Sequence, residues 1–129
     1  MAIKLKPDFA AAHNNLGNAL SAERRNEEAI SHYKMAIKLV PTHAETYNNL
    51  GTTLFADRKT GEAISHFKMA IELKPGYAEA HYNLGYALLQ KGEMKEAIDH
   101  YREALKLKPD LVAAQKNLEM ALLRSEELE

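Results

Sequence analysis

The chain has 129 residues, which suits one domain, and 46% hydrophobic with 27% charged residues is the composition of a folded globular protein rather than a disordered one. Seventeen basic against 18 acidic residues leave a net charge of -1, so the long-range attraction on which nucleic-acid and anionic-membrane binders rely is missing. No apolar run nears the roughly 18–20 residues that span a bilayer, and with no cysteine there is no disulfide frame, thiolate zinc site or cysteine nucleophile.

The elements follow a beat of 34 residues, the spacing of the only four prolines, Pro7, Pro41, Pro75 and Pro109. Residues 1–6 align with 35–40 and 69–74 and read as the end of a preceding second helix, as in a piece of a longer array. The N-terminus is too short and too charged for a signal peptide, which leaves the cytoplasm as the default location. Three full repeats follow at 7–40, 41–74 and 75–108. Each holds two stretches rich in Ala, Leu, Glu and Lys with apolar residues three and four apart, hence a helix pair. Proline closes the second helix of one pair and opens the next turn. Asp8, Thr42 and Asp110 are the expected N-caps, Thr42 with Glu45 forming a capping box.

Gly17, Gly51 and Gly85 fall in the middle of first helices, where glycine costs about 1 kcal/mol relative to alanine. A penalty repeated at one spacing predicts close approach of two helix backbones. Ala29, Ala63 and Ala97, with Ala36, Ala70 and Ala104, would supply the opposing surface, and Tyr33, Phe67 and Tyr101 would fill the remaining gap. Residues 109–124 form one more first helix, with Glu119 in place of the glycine, and read as a capping helix. The segment 125–129 is expected to be a frayed acidic tail or a cloning scar.

The series His13, Tyr47 and His81, then Leu-Gly, Leu, Ala, Tyr or Phe, Ala and Pro, resembles the tetratricopeptide repeat signature over nearly the whole chain. The resemblance implies an all-α, right-handed superhelical solenoid of antiparallel helix pairs, with first helices lining a concave groove. Arg24 and Arg58 stand where the family prefers the glycine kept as Gly92, so those two turns are expected to be less regular, recapped by Asn26 and Thr60.

On the groove face implied by the family runs a series of asparagines, Asn15, Asn49, Asn83 and Asn117. An amide donates and accepts, so it can pair with a peptide backbone whatever the side chain. The arrangement is similar to the asparagine ladder of O-linked N-acetylglucosamine transferases; alternatively the amides are satisfied by neighbouring helices or water. Asn14, Asn18, Asn48, Thr52, Tyr82 and Tyr86 are expected on the same face, the tyrosines as anchors. The dicarboxylate clamp of chaperone-binding relatives is matched at Asn18 and Asn49, but Asn14, Glu79 and Asn83 hold its basic positions. A neutral or basic extended segment is therefore expected as partner rather than an acidic C-terminal tail.

His32, His66 and His100 recur with Glu28, Glu62 and Glu96 four residues earlier. Residues on successive repeats are too widely spaced to share one ion, so the pairs read as i,i+4 contacts on the exposed convex face, not as a metal site. No catalytic motif, phosphate loop or cofactor site is recognisable, and scattered Lys and Arg form no nucleic-acid patch. The expectation is a non-enzymatic scaffold that binds an extended peptide or a partner helix. Two alternatives stand beside it: an engineered module, or one self-associating end to end, and the substrate-recruiting part of a larger enzyme such as a glycosyltransferase.

Overall fold

A computed structural model describes residues 2–128, with side chains from 6 to 126; Met1 and Glu129, the ends of the expected first and last segments, lie outside the described residues. Among those described, seven α-helices and no strand are found: α1 (Ala2–Ala22), α2 (Asn26–Leu39), α3 (Ala44–Ala56), α4 (Thr60–Leu73), α5 (Ala78–Gln90), α6 (Met94–Leu107) and α7 (Val112–Leu128). Two compact units hold them, Met1–Leu73 with α1–α4 and Lys74–Glu129 with α5–α7. In the first unit α1 packs on α2 and α3 on α4, and α3 also meets α2 and α1. In the second, α5 packs on α6, and α7 lies on α6 and touches α5. The fold is three helix pairs and a cap.

The repeated glycines make room for aromatic rings. A Cβ at Gly17 would stand 2.7 Å from the Tyr33 ring, one at Gly51 2.6 Å from Phe67 and one at Gly85 3.0 Å from Tyr101. The ring atoms are the nearest neighbours of each such Cβ, and at Gly85 the backbone carbonyl of Ala97, one of the alanines expected opposite, also stands 3.3 Å away. Burying such a ring contributes about 1.5–3 kcal/mol, which outweighs the ~1 kcal/mol that glycine costs the helix. Tyr33, Phe67 and Tyr101 are accordingly among the largest fully or almost fully buried side chains, with Ala29, Ala63 and Ala97 buried one turn earlier.

The turns inside the pairs are alike, against the expectation that the arginine ones would be less regular. Arg24 and Arg58 take φ of 63° and 64°, in the left-handed region where Gly92 sits at 87°. After each, the next N–H reaches back five residues: Arg25 to the Leu20 carbonyl at 2.9 Å, Lys59 to Leu54 at 2.8 Å and Glu93 to Leu88 at 2.9 Å. That bond and the shorter one inside it, such as Arg24 N–H to the Ser21 carbonyl at 2.9 Å, are the Schellman ending of a helix. The leucine accepting each long bond is buried, so packing fixes the turn and arginine accepts the strain. Asn26 and Thr60 open α2 and α4 as helical residues rather than as caps.

Between pairs, the large residue of the signature has a task the sequence did not disclose. It clasps the carbonyl of the proline six residues before it. The Tyr47 hydroxyl donates to Pro41 at 2.8 Å, His81 Nε2–H to Pro75 at 3.2 Å and the Gln115 amide to Pro109 at 2.8 Å. The expected capping residues do not cap. α3 starts after His43, whose ring nitrogen pairs with Thr46 at 2.8 Å, so Thr42 lies in the turn; Asp110 precedes the start of α7 and Asp8 lies inside α1. α1 also runs through Pro7 without the expected break after residue 6. Proline's fixed φ is itself helical, and Pro7 is exposed, where water can serve the carbonyl left without its donor. At the other end α7 continues past residue 124 to Leu128, since Ser-Glu-Glu-Leu contains no helix stop.

Candidate peptide-binding face

All expected site residues stand on the first helices α1, α3 and α5. In the first unit Asn15, Asn18 and Thr52 are exposed and Asn14 and Asn49 half-buried; in the second Asn83 and Tyr82 are half-buried and Tyr86 is 39% exposed. Asn48 departs from expectation. It is only 8% exposed, on a helix packed by α1, α2 and α4, and it leaves the solvent-lined set.

The asparagine series is partly spent inside the fold. Asn49 donates to Asn14 Oδ1 at 3.3 Å, tying α3 to α1, and Asn117 donates to the Tyr82 hydroxyl at 3.3 Å, tying α7 to α5. These two bonds join the same pair of repeat positions in each unit. An amide so engaged still has a second N–H and its carbonyl. The ring hydroxyls behind the face are engaged as well: Tyr33 donates to Asn18 Oδ1 at 2.6 Å, and Asn117 also reaches Tyr101 at 3.5 Å. Burial pushes the Tyr33 phenol above its ordinary value, against the pull of a Thr53 hydrogen bond. Burial pushes Tyr101 up to about 12.

Between first helices of one unit lies a cleft, and the two units line theirs differently. The α1/α3 cleft, about 200 Å³, is bounded by Asn18, Ser21, Tyr33, Asn49, Thr52 and Thr53. Its hydroxyls are mutually ordered, with Ser21 and Thr53 3.0 Å apart and Thr52 and Thr53 donating to the Asn48 and Asn49 carbonyls at 2.9 and 3.1 Å. The α5/α7 cleft, about 150 Å³, is bounded by Tyr86, Leu89, Gln90, Asn117, Met120 and Arg124. Tyr82 meets Tyr86 edge-on at 6.4 Å beside it. Leu89, Met120 and Arg124 are thus lining residues; Met120 and Arg124 went unremarked and follow Asn117 at helical spacing, the signal that could have found them.

The histidine series also serves a different purpose than expected. His32 and His100 do not turn to Glu28 and Glu96 on an exposed face. They are half-buried and meet the first helix, His32 Nδ1 at 3.0 Å from His13 Nδ1 and His100 Nδ1 at 3.1 Å from His81 Nδ1. Each distance is one N–H···N bond, between rings inclined to one another by 25° and 29°. His81 gives its Nε2–H to Pro75, so its Nδ1 accepts and His100 donates. In the middle pair Tyr47 replaces the first histidine, and His66 Nδ1–H donates to the Glu62 carbonyl at 2.9 Å. Glu28 instead holds Arg25 at 2.7 Å.

Two carboxylates of the first helices have basic neighbours. Glu79 pairs with Lys108 at 3.3 Å, and its carboxyl is held below the usual range by its own backbone N–H and by Lys108. Glu45 pairs with His43 at 3.1 Å. Among the described residues, no helix is long and apolar enough to cross a membrane.

The tetratricopeptide repeat sequence model matches residues 8–76, and a second one of the same description matches residues 48–112. No curated protein sequence matches this chain. Among solved structures, the first TPR of Spaghetti (RPAP3) bound to the HSP90 peptide SRMEEVD superposes with a TM-score of 0.91 at 22% identity, covering 93% of this chain and 95% of that one. The first TPR domain of human RPAP3 follows at 0.88 and 25%, covering 94% and 98%. MamA gives 0.88 at 28% identity, covering 96% of this chain and 72% of its own.

Proposed function

Because this chain belongs to the tetratricopeptide repeat family, we propose that it is a non-catalytic scaffold that binds an extended peptide, or one face of a partner helix, against its first helices. The observation that carries this reading is the amide- and hydroxyl-lined cleft between α1 and α3, whose exposed Asn18 and half-buried Asn49 keep donors and acceptors for a peptide backbone, with exposed Asn15 on the same helix as Asn18. Tyr82 and Tyr86 add ring area with a polar tip on α5, the combination that anchors interfaces. A relative of the same fold holds an HSP90 peptide, which supports a peptide ligand here. The chaperone tail itself fits less well, since Asn14, Glu79 and Asn83 stand where that clamp is basic. Glu79 is paired with Lys108 at 3.3 Å, which offsets part of its attraction for a basic ligand.

The test is selection from an unbiased peptide library, followed by titration of the selected peptides against Asn15→Ala/Asn49→Ala/Asn83→Ala. The triple variant is expected to keep its helical circular dichroism and to bind at least about tenfold more weakly, the loss of a few peptide hydrogen bonds. Undiminished affinity would overturn the assignment.

A further inference from the structure

The α5/α7 cleft has a chemistry that backbone recognition by amides leaves unused. Tyr86, Leu89 and Met120 give it apolar walls, and Met120 is 58% exposed, an apolar side chain presented to solvent at the mouth of a depression. One turn before Met120 stands Lys116 and one turn after it Arg124, both exposed. Neither forms an ion pair among the described residues. The opposite lip is the neutral Gln90. A basic, apolar, basic stripe thus runs along one face of α7.

The spacing of that stripe says what fits it. Residues at i, i+4 and i+8 of a helix share a face and advance about 6 Å per step. In an extended peptide, alternate side chains share a face and stand about 6.6 Å apart. The two ladders match, so side chains at peptide positions i−2, i and i+2 can meet Lys116, Met120 and Arg124 together. A cavity near 150 Å³ holds a group about the size of benzene, which admits leucine, methionine or phenylalanine and leaves little room for indole.

We propose that the α5/α7 cleft is a docking site for an extended peptide of the pattern acidic–x–apolar–x–acidic, its apolar side chain seated against Tyr86, Leu89 and Met120 and its two carboxylates on Lys116 and Arg124. The inference rests on the groove reading above and gives it a sequence preference. The pattern needs no free C-terminus, which separates it from recognition of a chain end. The α1/α3 cleft has no counterpart: Asn18, Ser21 and Thr52 occupy the positions of Tyr86, Leu89 and Met120, so three polar side chains stand where the apolar walls would be.

The probe is a fluorescein-labelled peptide Ser-Glu-Thr-Leu-Thr-Glu-Ser, followed by fluorescence anisotropy. Replacing its leucine by serine, or Met120→Asp in the protein, is expected to weaken binding at least about tenfold. Raising salt from about 0.05 M to about 0.5 M is expected to weaken it further, as screening of surface charges requires. Lys116→Glu/Arg124→Glu, two solvent-facing changes that preserve the test if Met120→Asp loses helicity, is expected to transfer the preference to Ser-Lys-Thr-Leu-Thr-Lys-Ser. Equal binding of the acidic, basic and serine peptides would overturn the proposal. So would library-selected peptides that depend on the three asparagines but ignore Met120→Asp, an outcome that leaves the groove reading intact. A chain that binds neither the probe nor any library peptide would sink both.

Discussion

The first unit and the second place the same repeat positions in the same secondary structure and obtain different surfaces. Between first helices, one has Asn18, Ser21 and Thr52 and the other Tyr86, Leu89 and Met120. At the proline end of the pairs, the first unit has an apolar cavity of about 160 Å³ lined in part by Ala11, Val40 and His43. In the second unit Glu79, Lys108 and Leu111 hold those positions, and the Glu79–Lys108 ion pair at 3.3 Å bridges the gap. The frame is shared because it is set by a few buried positions, the ring, the glycine facing it and the alanine one turn away. Positions outside that set can change from amide to apolar without disturbing the backbone, which is how one repeat yields two surface chemistries.

Six substitutions, at three kinds of site, bear on how far the likeness of the frames extends. The largest difference is expected at the ring clearance. Gly51→Ala gains about 1 kcal/mol of helix propensity but forces a Cβ into Phe67, and overpacking costs about 1–3 kcal/mol. A net loss of about 1–2 kcal/mol is expected at Gly51, where the contact is 2.6 Å, and a smaller one at Gly85, where it is 3.0 Å. Gly61→Ala, with no atom within 4 Å, should gain about 0.5–1 kcal/mol. Thermal denaturation of the three variants ranks them; equal losses at Gly51 and Gly85 would mean that ring clearance is not the cause.

Next in size is the ring hydroxyl. Tyr101 is neutral in the fold and its phenol is pushed up to about 12, above the ordinary value of about 10. A folded value above the unfolded one gives stability that is complete below about pH 10 and lost as pH rises through about 12. Helical signal followed over that interval should fall. Tyr101→Phe should flatten the fall while costing about 0.5–1 kcal/mol at neutral pH through the lost Asn117 bond. Tyr33 is raised by burial in the first unit too, so part of the fall should persist; an unchanged alkaline limb in Tyr101→Phe would contradict the assignment. The smallest effect concerns the turns. Arg58→Gly should gain about 0.5–1 kcal/mol by releasing a left-handed arginine, and Gly92→Arg should lose a similar amount. Chemical denaturation resolves both, and a loss on Arg58→Gly would show that the arginine side chain contributes more than its backbone strain.

Much of this fold was legible in the chain itself. One 34-residue period orders prolines, glycines, alanines and rings together, and that coincidence is enough to set helix pairs, their number and their family, because buried positions tolerate few residue types. The sequence also placed Asn15, Asn49, Asn83, Tyr82 and Tyr86 on the first helices. It did not reveal which of these side chains the fold would consume. That Asn49 leans on Asn14, that His81 and His100 share one N–H···N bond, and that Lys108 neutralises Glu79 are contacts between residues 19 to 35 positions apart. Helical periodicity assigns a face to each residue, but only packing decides which neighbour on that face is within 3 Å. The same limit applies at Asn48 and Arg24. The family resemblance makes one groove-lining and the other part of an irregular turn, yet Asn48 is buried and Arg24 closes a regular left-handed turn after the buried Leu20. Local sequence determined where helices start, face and repeat; tertiary packing decided which polar groups remain free to meet a ligand, because hydrogen bonds of comparable strength compete and geometry alone selects among them.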